Sequence, residues 1–468
     1  MVNIASLVFG ILFLTGALAA QATDHVQMLN SYVSMKLHLD ADASRGQMVG
    51  AAWLRIRNTS DTPITEVPFL LNPGLQVTKV LGTSNKPLFE TSDVSSISGY
   101  DLLKLTSGTV TLAPALGGGK DTEIIIHYRG SLQNLSWSGR DHAKETLSQD
   151  FTIIRADSFG YPVLAAANKA AIEATTHQPN YYQTATIELA DGYMVAGNLH
   201  IDETTLKNDN KVFDLKNTSP IAPMILPIAR YQSLTSAPLF VSFLPGGHMA
   251  AQTLIDAITP EMQRLQQLLG NPSIPRINIT MVPDGYGTIS TAGLIMMEQS
   301  HFTAKPVKAS NALLGLWALN REYPQGQWKN SLNTYLSRVL STENTNTLQE
   351  ALFSSVAHAL SANPAAGKTV VADLTEKNWN TEADAITSFV FAGLHALLGD
   401  ENFFAFIRSA RNDLRGNYVD NAMFADFVME AVHDKKARKF AKNWLTGKKA
   451  NKDLKKASTF SELIANYK

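Results

Sequence analysis

From about Val26 to Ala229 the chain alternates apolar and polar positions in short runs broken by turns. Three runs show it well: Ser34-Met35-Lys36-Leu37-His38-Leu39-Asp40, Ala52-Trp53-Leu54-Arg55-Ile56-Arg57 and Thr122-Glu123-Ile124-Ile125-Ile126-His127-Tyr128. A period of two puts one face of an extended strand into a core and the other into solvent, so this stretch predicts an antiparallel β-domain. Asn72-Pro73-Gly74 and Gly117-Gly118-Gly119 punctuate the runs as turns. The glycine triplet lacks the leading Gly and the trailing Ser or Thr of a phosphate-binding loop, which excludes nucleotide binding there.

Past Pro238 the period changes. Leu239 to Leu244 reads as a strand, and Met249 to Leu269 places Leu254, Ile255, Ile258, Met262, Leu265 and Leu269 on one helical stripe. Arg276 to Val282 reads as a further strand. Asn311 to Leu319, Leu332 to Leu340, Leu348 to Leu360, Ala383 to Leu398 and Glu401 to Leu414 read as helices. The expectation is therefore an α+β multidomain protein: a leader at 1–22, an N-terminal β-sandwich-like domain at 23–236, and an α/β region at 237–468 whose last part is mainly helical.

Composition sharpens this. With 468 residues and 45% hydrophobic positions, the chain can bury a large core. Lys plus Arg number 40 and Asp plus Glu 41, so no overall field draws nucleic acid. Cysteine is absent, which excludes disulfides, thiolate zinc sites and a Cys nucleophile. Ile4 to Ala20 is an apolar run ending in small residues, as in an export signal cleaved after Ala17-Leu18-Ala19 or Ala20-Gln21-Ala22. Its preceding residues carry no Lys or Arg, and left uncleaved it would serve as an N-terminal anchor. The reading is an exported, periplasmic protein with no second segment long and apolar enough to span a bilayer. Ten Lys or Arg residues lie between His433 and Lys456, with Phe440 and Trp444 among them; the stretch reads either as a contact for an anionic surface or, more plainly, as a solvated helix face with two apolar anchors.

Several local stretches resemble the aminopeptidase N family of zinc peptidases, of the gluzincin type. Phe159-Gly160-Tyr161-Pro162 resembles that family's aromatic-Tyr-Pro segment, and Asp191 to Gly197 the strand and small-residue turn after it. Gly287-Thr288-Ile289-Ser290-Thr291-Ala292-Gly293-Leu294-Ile295 sits where such enzymes carry Gly-Ala-Met-Glu-Asn followed by x-Gly-Leu-Ile. The resemblance implies a thermolysin-like catalytic-type domain in which Gly287, Thr288, Ile289, Ser290 and Thr291 edge the substrate groove. The family's Glu, which holds the substrate amine, falls on Ser290, whose neutral hydroxyl cannot form that ion pair.

The zinc motif His-Glu-x-x-His puts two imidazoles on one helical face, with the Glu as general base. No such motif occurs in this chain. In the resemblance, Asn311 and Gly315 take the histidine positions, Ala312 the base, Asn330 the third ligand, and Asp384 the position near the transition-state tyrosine. Zinc needs three protein ligands and an open position, so the resemblance implies a degenerate site with no catalytic residue and no metal ligand.

Three functions follow. One is a non-catalytic binder of extended peptides or of a protein partner through the former groove, requiring no cofactor. Another is a structural partner of an active homologue. The third is an active zinc-dependent aminopeptidase whose ligands lie elsewhere, the imidazoles to consider being His301, three residues after Glu298, together with His358 and His395. A serine hydrolase is disfavoured, because the Gly-x-Ser-x-Gly elbow is absent.

Overall fold

The computed structural model describes residues 25–42, 45–135, 146–175, 181–217, 223–272, 276–291, 293–302, 327–341, 344–375, 378–414 and 419–467. The leader at 1–22 and the stretch holding Asn311, Ala312 and Gly315 lie outside the described residues. Two compact units divide the chain: Met1–Thr253 with Arg276–Thr303, and Leu254–Pro275 with Ala304–Lys468.

In the first unit, alternation builds the sheets. Along Val26–His38, Ser31, Val33, Met35 and Leu37 are buried while the residues between them are not. This strand lies inside a seven-stranded sheet, in the order His200–Lys207, Asn210–Lys216, Tyr182–Ala190, Val26–His38, Gln47–Asn58, Asp121–Gly130, Leu75–Gly82. All its pairings are antiparallel except that of Val26–His38 with Tyr182–Ala190. A three-stranded sheet (Ile64–Leu71, Lys104–Leu116, Phe89–Ser96) supplies Val67, Phe69 and Val110 to the same core as Leu54, Ile56, Ile124 and Ile126. Asn58, fully buried, donates to the carbonyls of Thr62 (2.7 Å) and Leu116 (2.9 Å) and accepts from the Ser60 N–H (2.9 Å), closing the turn after its strand.

The aromatic-Tyr-Pro segment is an internal fixture. Phe159 adopts φ 55° and is buried, and the buried Tyr161 donates its hydroxyl to the Met224 carbonyl at 3.2 Å. Burial pushes the Tyr161 phenol well up, so it stays a neutral donor. A five-stranded mixed sheet completes this unit, in the order Gln232–Ser236, Leu239–Phe243, Ile277–Val282, Leu294–Glu298, Ile289–Thr291. The expected boundary at 236/237 falls within the hairpin between its first two strands, in which Ser236 pairs with Leu239.

All six stripe residues of the helix His248–Leu269 are buried. In the second unit, Arg408 donates to the Leu268 carbonyl (2.7 Å), and Arg411 to those of Leu269 and Asn271, so guanidinium groups satisfy the orphan carbonyls at that helix's C-terminus. Helices Trp328–Ser341, Thr345–Ala362, Thr381–Asp413 and Asn421–Ala431 follow. By length and composition Thr381–Asp413 would suffice to cross a bilayer, against the expectation that no segment after the leader would. It is a core helix instead: Phe389, Val390, Phe391, Ala392 and Leu394 are buried. Gly399, at φ 73° and ψ 167°, breaks it where the two periodic runs meet.

Candidate functional site

After Val282 the chain turns through Asp284-Gly285-Tyr286-Gly287, with Gly285 at φ 93° and Gly287 at φ 73°, a region that L side chains rarely adopt. One carboxylate fixes this turn. Glu298 Oε1 accepts the N–H of Gly285 at 2.8 Å and of Gly287 at 2.9 Å, while its Oε2 stands 3.4 Å from His301 Nδ1. Asp284 Oδ1 accepts the Ser300 N–H at 2.9 Å, and that donation holds its carboxyl below the ordinary value. Glu298 and His301 were the i, i+3 pair considered for a metal; in the structure the carboxylate positions backbone.

Strand Ile289–Thr291 then runs antiparallel to Leu294–Glu298, with Ile289 opposite Met296, Ser290 opposite Ile295 and Thr291 opposite Leu294. Ile289 packs on a core of Tyr231, Val282, Leu294 and Met296, which anchors the strand, and Gly287 and Thr288 are exposed. The strand is last in the sheet order, so among the described residues its outer edge has no strand partner. Such an edge presents a row of N–H and C=O groups to any extended chain alongside.

In the second unit, Asn330 is exposed at the start of its helix, and its amide donates to Gln327 Oε1 at 2.8 Å. Asp384, in the first turn of Thr381–Asp413, accepts through Oδ1 from Ser331 Oγ and from Trp379 Nε1, both at 2.9 Å. These two positions thus stand in neighbouring helices, joined through Ser331. His395 is buried and used: its Nδ1 meets the Tyr335 hydroxyl at 2.8 Å, its Nε2 meets Asp400 Oδ1 at 2.8 Å, and Phe403 stacks on the ring at 4.3 Å. His358 is exposed on Thr345–Ala362. Among the described residues no group of three or more His, Asp or Glu side chains could hold a metal ion.

No family model matches the chain, and no curated protein matches it. Solved structures do. An M1 zinc metallopeptidase from Deinococcus radiodurans superposes with a TM-score of 0.58 at 13% identity, covering 91% of this chain and 94% of that one. The chain has the M1 metallopeptidase fold. A mutant of the same bacterial enzyme bound to the peptide Tyr-Ser-Ala gives a TM-score of 0.57 over 91% of this chain and 95% of that one, again at 13% identity. Native yeast LTA4 hydrolase gives 0.61 at 13% identity, over 90% of this chain and 68% of its own. The M1-like architecture, a β-rich N-terminal part and a helical C-terminal part, agrees with the α+β expectation.

The backbone tie at Glu298 is not visible in the sequence alone. Its signal was present, in two glycines that bracket Tyr286 and a carboxylate eleven residues on, but nothing in a one-dimensional pattern shows that the strands bring them together.

Proposed function

We propose that this chain is a non-catalytic protein of aminopeptidase-like fold that binds extended peptides along the edge strand Ile289–Thr291. The observation that carries the reading is that strand's outer edge, which has no strand partner among the described residues and is preceded by a turn held at Gly285 and Gly287 by Glu298. The likeness to an M1 enzyme solved with Tyr-Ser-Ala supports it. The donor set at the aligned positions does not suit zinc: Asn311 and Asn330 offer neutral amides, Gly315 has no side chain, and Ala312 cannot act as a base. Recognition then rests on main-chain pairing, with side-chain pockets adding selectivity.

Titration of short unstructured peptides into the protein tests this. Saturable binding is expected, weakened about tenfold by Glu298→Ala, which removes two hydrogen bonds from the turn. Absence of saturable binding would overturn the groove reading. Elemental analysis and an assay on amino-acid amides test the other half: stoichiometric zinc with turnover would make the protein an enzyme with its ligands elsewhere.

A further inference from the structure

Basic residues are spread unevenly over this charge-balanced chain. His433–Lys456 holds nine Lys and one Arg against two Asp. All ten basic residues are exposed, on the helices Lys435–Ala441 and Ala450–Leu454 and the segments around them. Among the described residues, none of the ten forms an ion pair or a side-chain hydrogen bond. Lysines of the first unit behave differently: Lys207, Lys211 and Lys216 pair with Glu188, Asp191 and Asp202 at 3.6, 2.7 and 2.6 Å. The two acids of the segment are occupied, since Asp434 caps Lys435–Ala441 by accepting from the N–H groups of Lys436 and Ala437, and Asp453 accepts from the Tyr467 hydroxyl.

The spacing gathers these charges. Lys435, Lys436, Arg438, Lys439 and Lys442 share one side of their helix, while Ala437, Phe440 and Ala441 are buried on the other. Lys448, Lys449, Lys452, Lys455 and Lys456 repeat at steps of three and four in the same way, with Ala450 buried. Phe440 and Trp444 point inward and leave no aromatic ring exposed between the charges. Like charges so close repel one another, a standing cost that an anionic partner would relieve.

We propose that these two basic helix sides dock the protein peripherally on an anionic lipid bilayer. Two features favour lipid headgroups over nucleic acid. Lysine outnumbers arginine nine to one, and the ammonium group is a point charge suited to a diffuse, mobile array of phosphates, without the bidentate fork used at fixed ones. Nor does either side expose an aromatic platform on which bases would stack. With no apolar wedge to insert, attraction is electrostatic and fades with salt within a Debye length.

Co-sedimentation of the full chain with vesicles tests this, comparing pure phosphatidylcholine with equal parts phosphatidylcholine and phosphatidylglycerol. Whatever the apolar run Ile4 to Ala20 contributes is common to both, so the difference reads the basic helix sides. Binding to the anionic vesicles should be stronger, and should weaken by up to about 600-fold in Lys448→Gln/Lys449→Gln/Lys455→Gln/Lys456→Gln, at about fivefold per cation near the surface. Lys207→Gln/Lys211→Gln/Lys216→Gln should leave it unchanged, and a far-ultraviolet spectrum matching the parent shows that each variant is folded. Equal binding to both vesicle types, no effect of the fourfold variant, or tighter binding to duplex DNA than to anionic vesicles would each overturn the proposal.

Discussion

Gly393 lies in the interior of Thr381–Asp413, and replacing it by alanine sets two known effects against each other. Alanine should stabilise the helix by about 1 kcal/mol through propensity alone. Packing opposes this: a Cβ at Gly393 would lie 2.2 Å from Cε1 and Cζ of Phe440. Phe440 cannot readily retreat, being fully buried with Tyr467 edge-on at 5.2 Å, Trp444 at 5.7 Å and Phe389 at 6.1 Å between ring centroids. Restoring an ordinary carbon contact of about 3.5 to 4 Å requires the ring or the helix to move by more than ~1 Å. Overpacking of this kind costs about 1 to 3 kcal/mol, and a ring walled on three sides by aromatic groups belongs in the upper half of that range. The expected net loss for Gly393→Ala is therefore about 1 to 2 kcal/mol, or roughly 2 to 8 °C in the melting temperature of a unit of this size. Calorimetry on the parent, Gly393→Ala, Phe440→Leu and the double variant measures both the loss and its origin. Alanine should cost at least about 1 kcal/mol less where residue 440 is leucine. An unchanged or raised melting temperature for Gly393→Ala would refute the close-approach reasoning, and strict additivity would show that Phe440 is not the obstacle.

Two more predictions concern buried polar groups. His395 is held below its ordinary value of 6.5, first by burial, with Asp400 opposing the shift. The unfolded chain therefore takes up the proton more readily, so the contribution of neutral His395 is fully present above about pH 6.5 and is lost progressively as pH falls from there towards the folded-state value. Urea denaturation at about pH 7.5 and 5.5 should show His395→Gln with a smaller loss on acidification than the parent, and an equal loss would sink the assignment. Asn58→Ala removes the donor to the buried Leu116 carbonyl, together with the half-buried bonds to the Thr62 carbonyl and from the Ser60 N–H, and should destabilise the first unit by about 1 to 3 kcal/mol. A loss under about 0.5 kcal/mol in denaturant unfolding would mean that solvent reaches those groups.

Periodic features were legible in the sequence because they are local. The stripe from Leu254 to Leu269 could be read off directly, since a 3.6-residue period needs no knowledge of what covers it. The break at Gly399 was legible too: Leu398-Gly399-Asp400 separates two apolar runs, and glycine supplies the left-handed conformation found there. What depends on distant partners was hidden. Alternation over Ser34 to Asp40 predicts a strand there, but not that the strand Val26–His38 pairs in parallel with Tyr182–Ala190, because a period of two carries no partner identity. Tyr335 and His395 are sixty residues apart and meet only when their helices pack. The apolar content of Phe389 to Leu394 likewise gave no sign of whether lipid or protein would cover it; the folded unit does.

Acidic groups around the candidate regions are largely occupied in holding the fold. Glu298 gives one oxygen to two glycine N–H groups, Asp284 accepts from the Ser300 backbone, and Asp384 Oδ1 receives a serine hydroxyl and an indole. A carboxylate so engaged is held in place by its donors, and turning it towards a metal or a substrate ammonium would break those charge-assisted bonds. The backbone edge of Ile289–Thr291 carries no such cost, since no strand pairs with it among the described residues. Of the chemistry described, main-chain pairing therefore requires the least rearrangement, and a ligand that satisfies it needs an extended backbone before it needs any particular side chain.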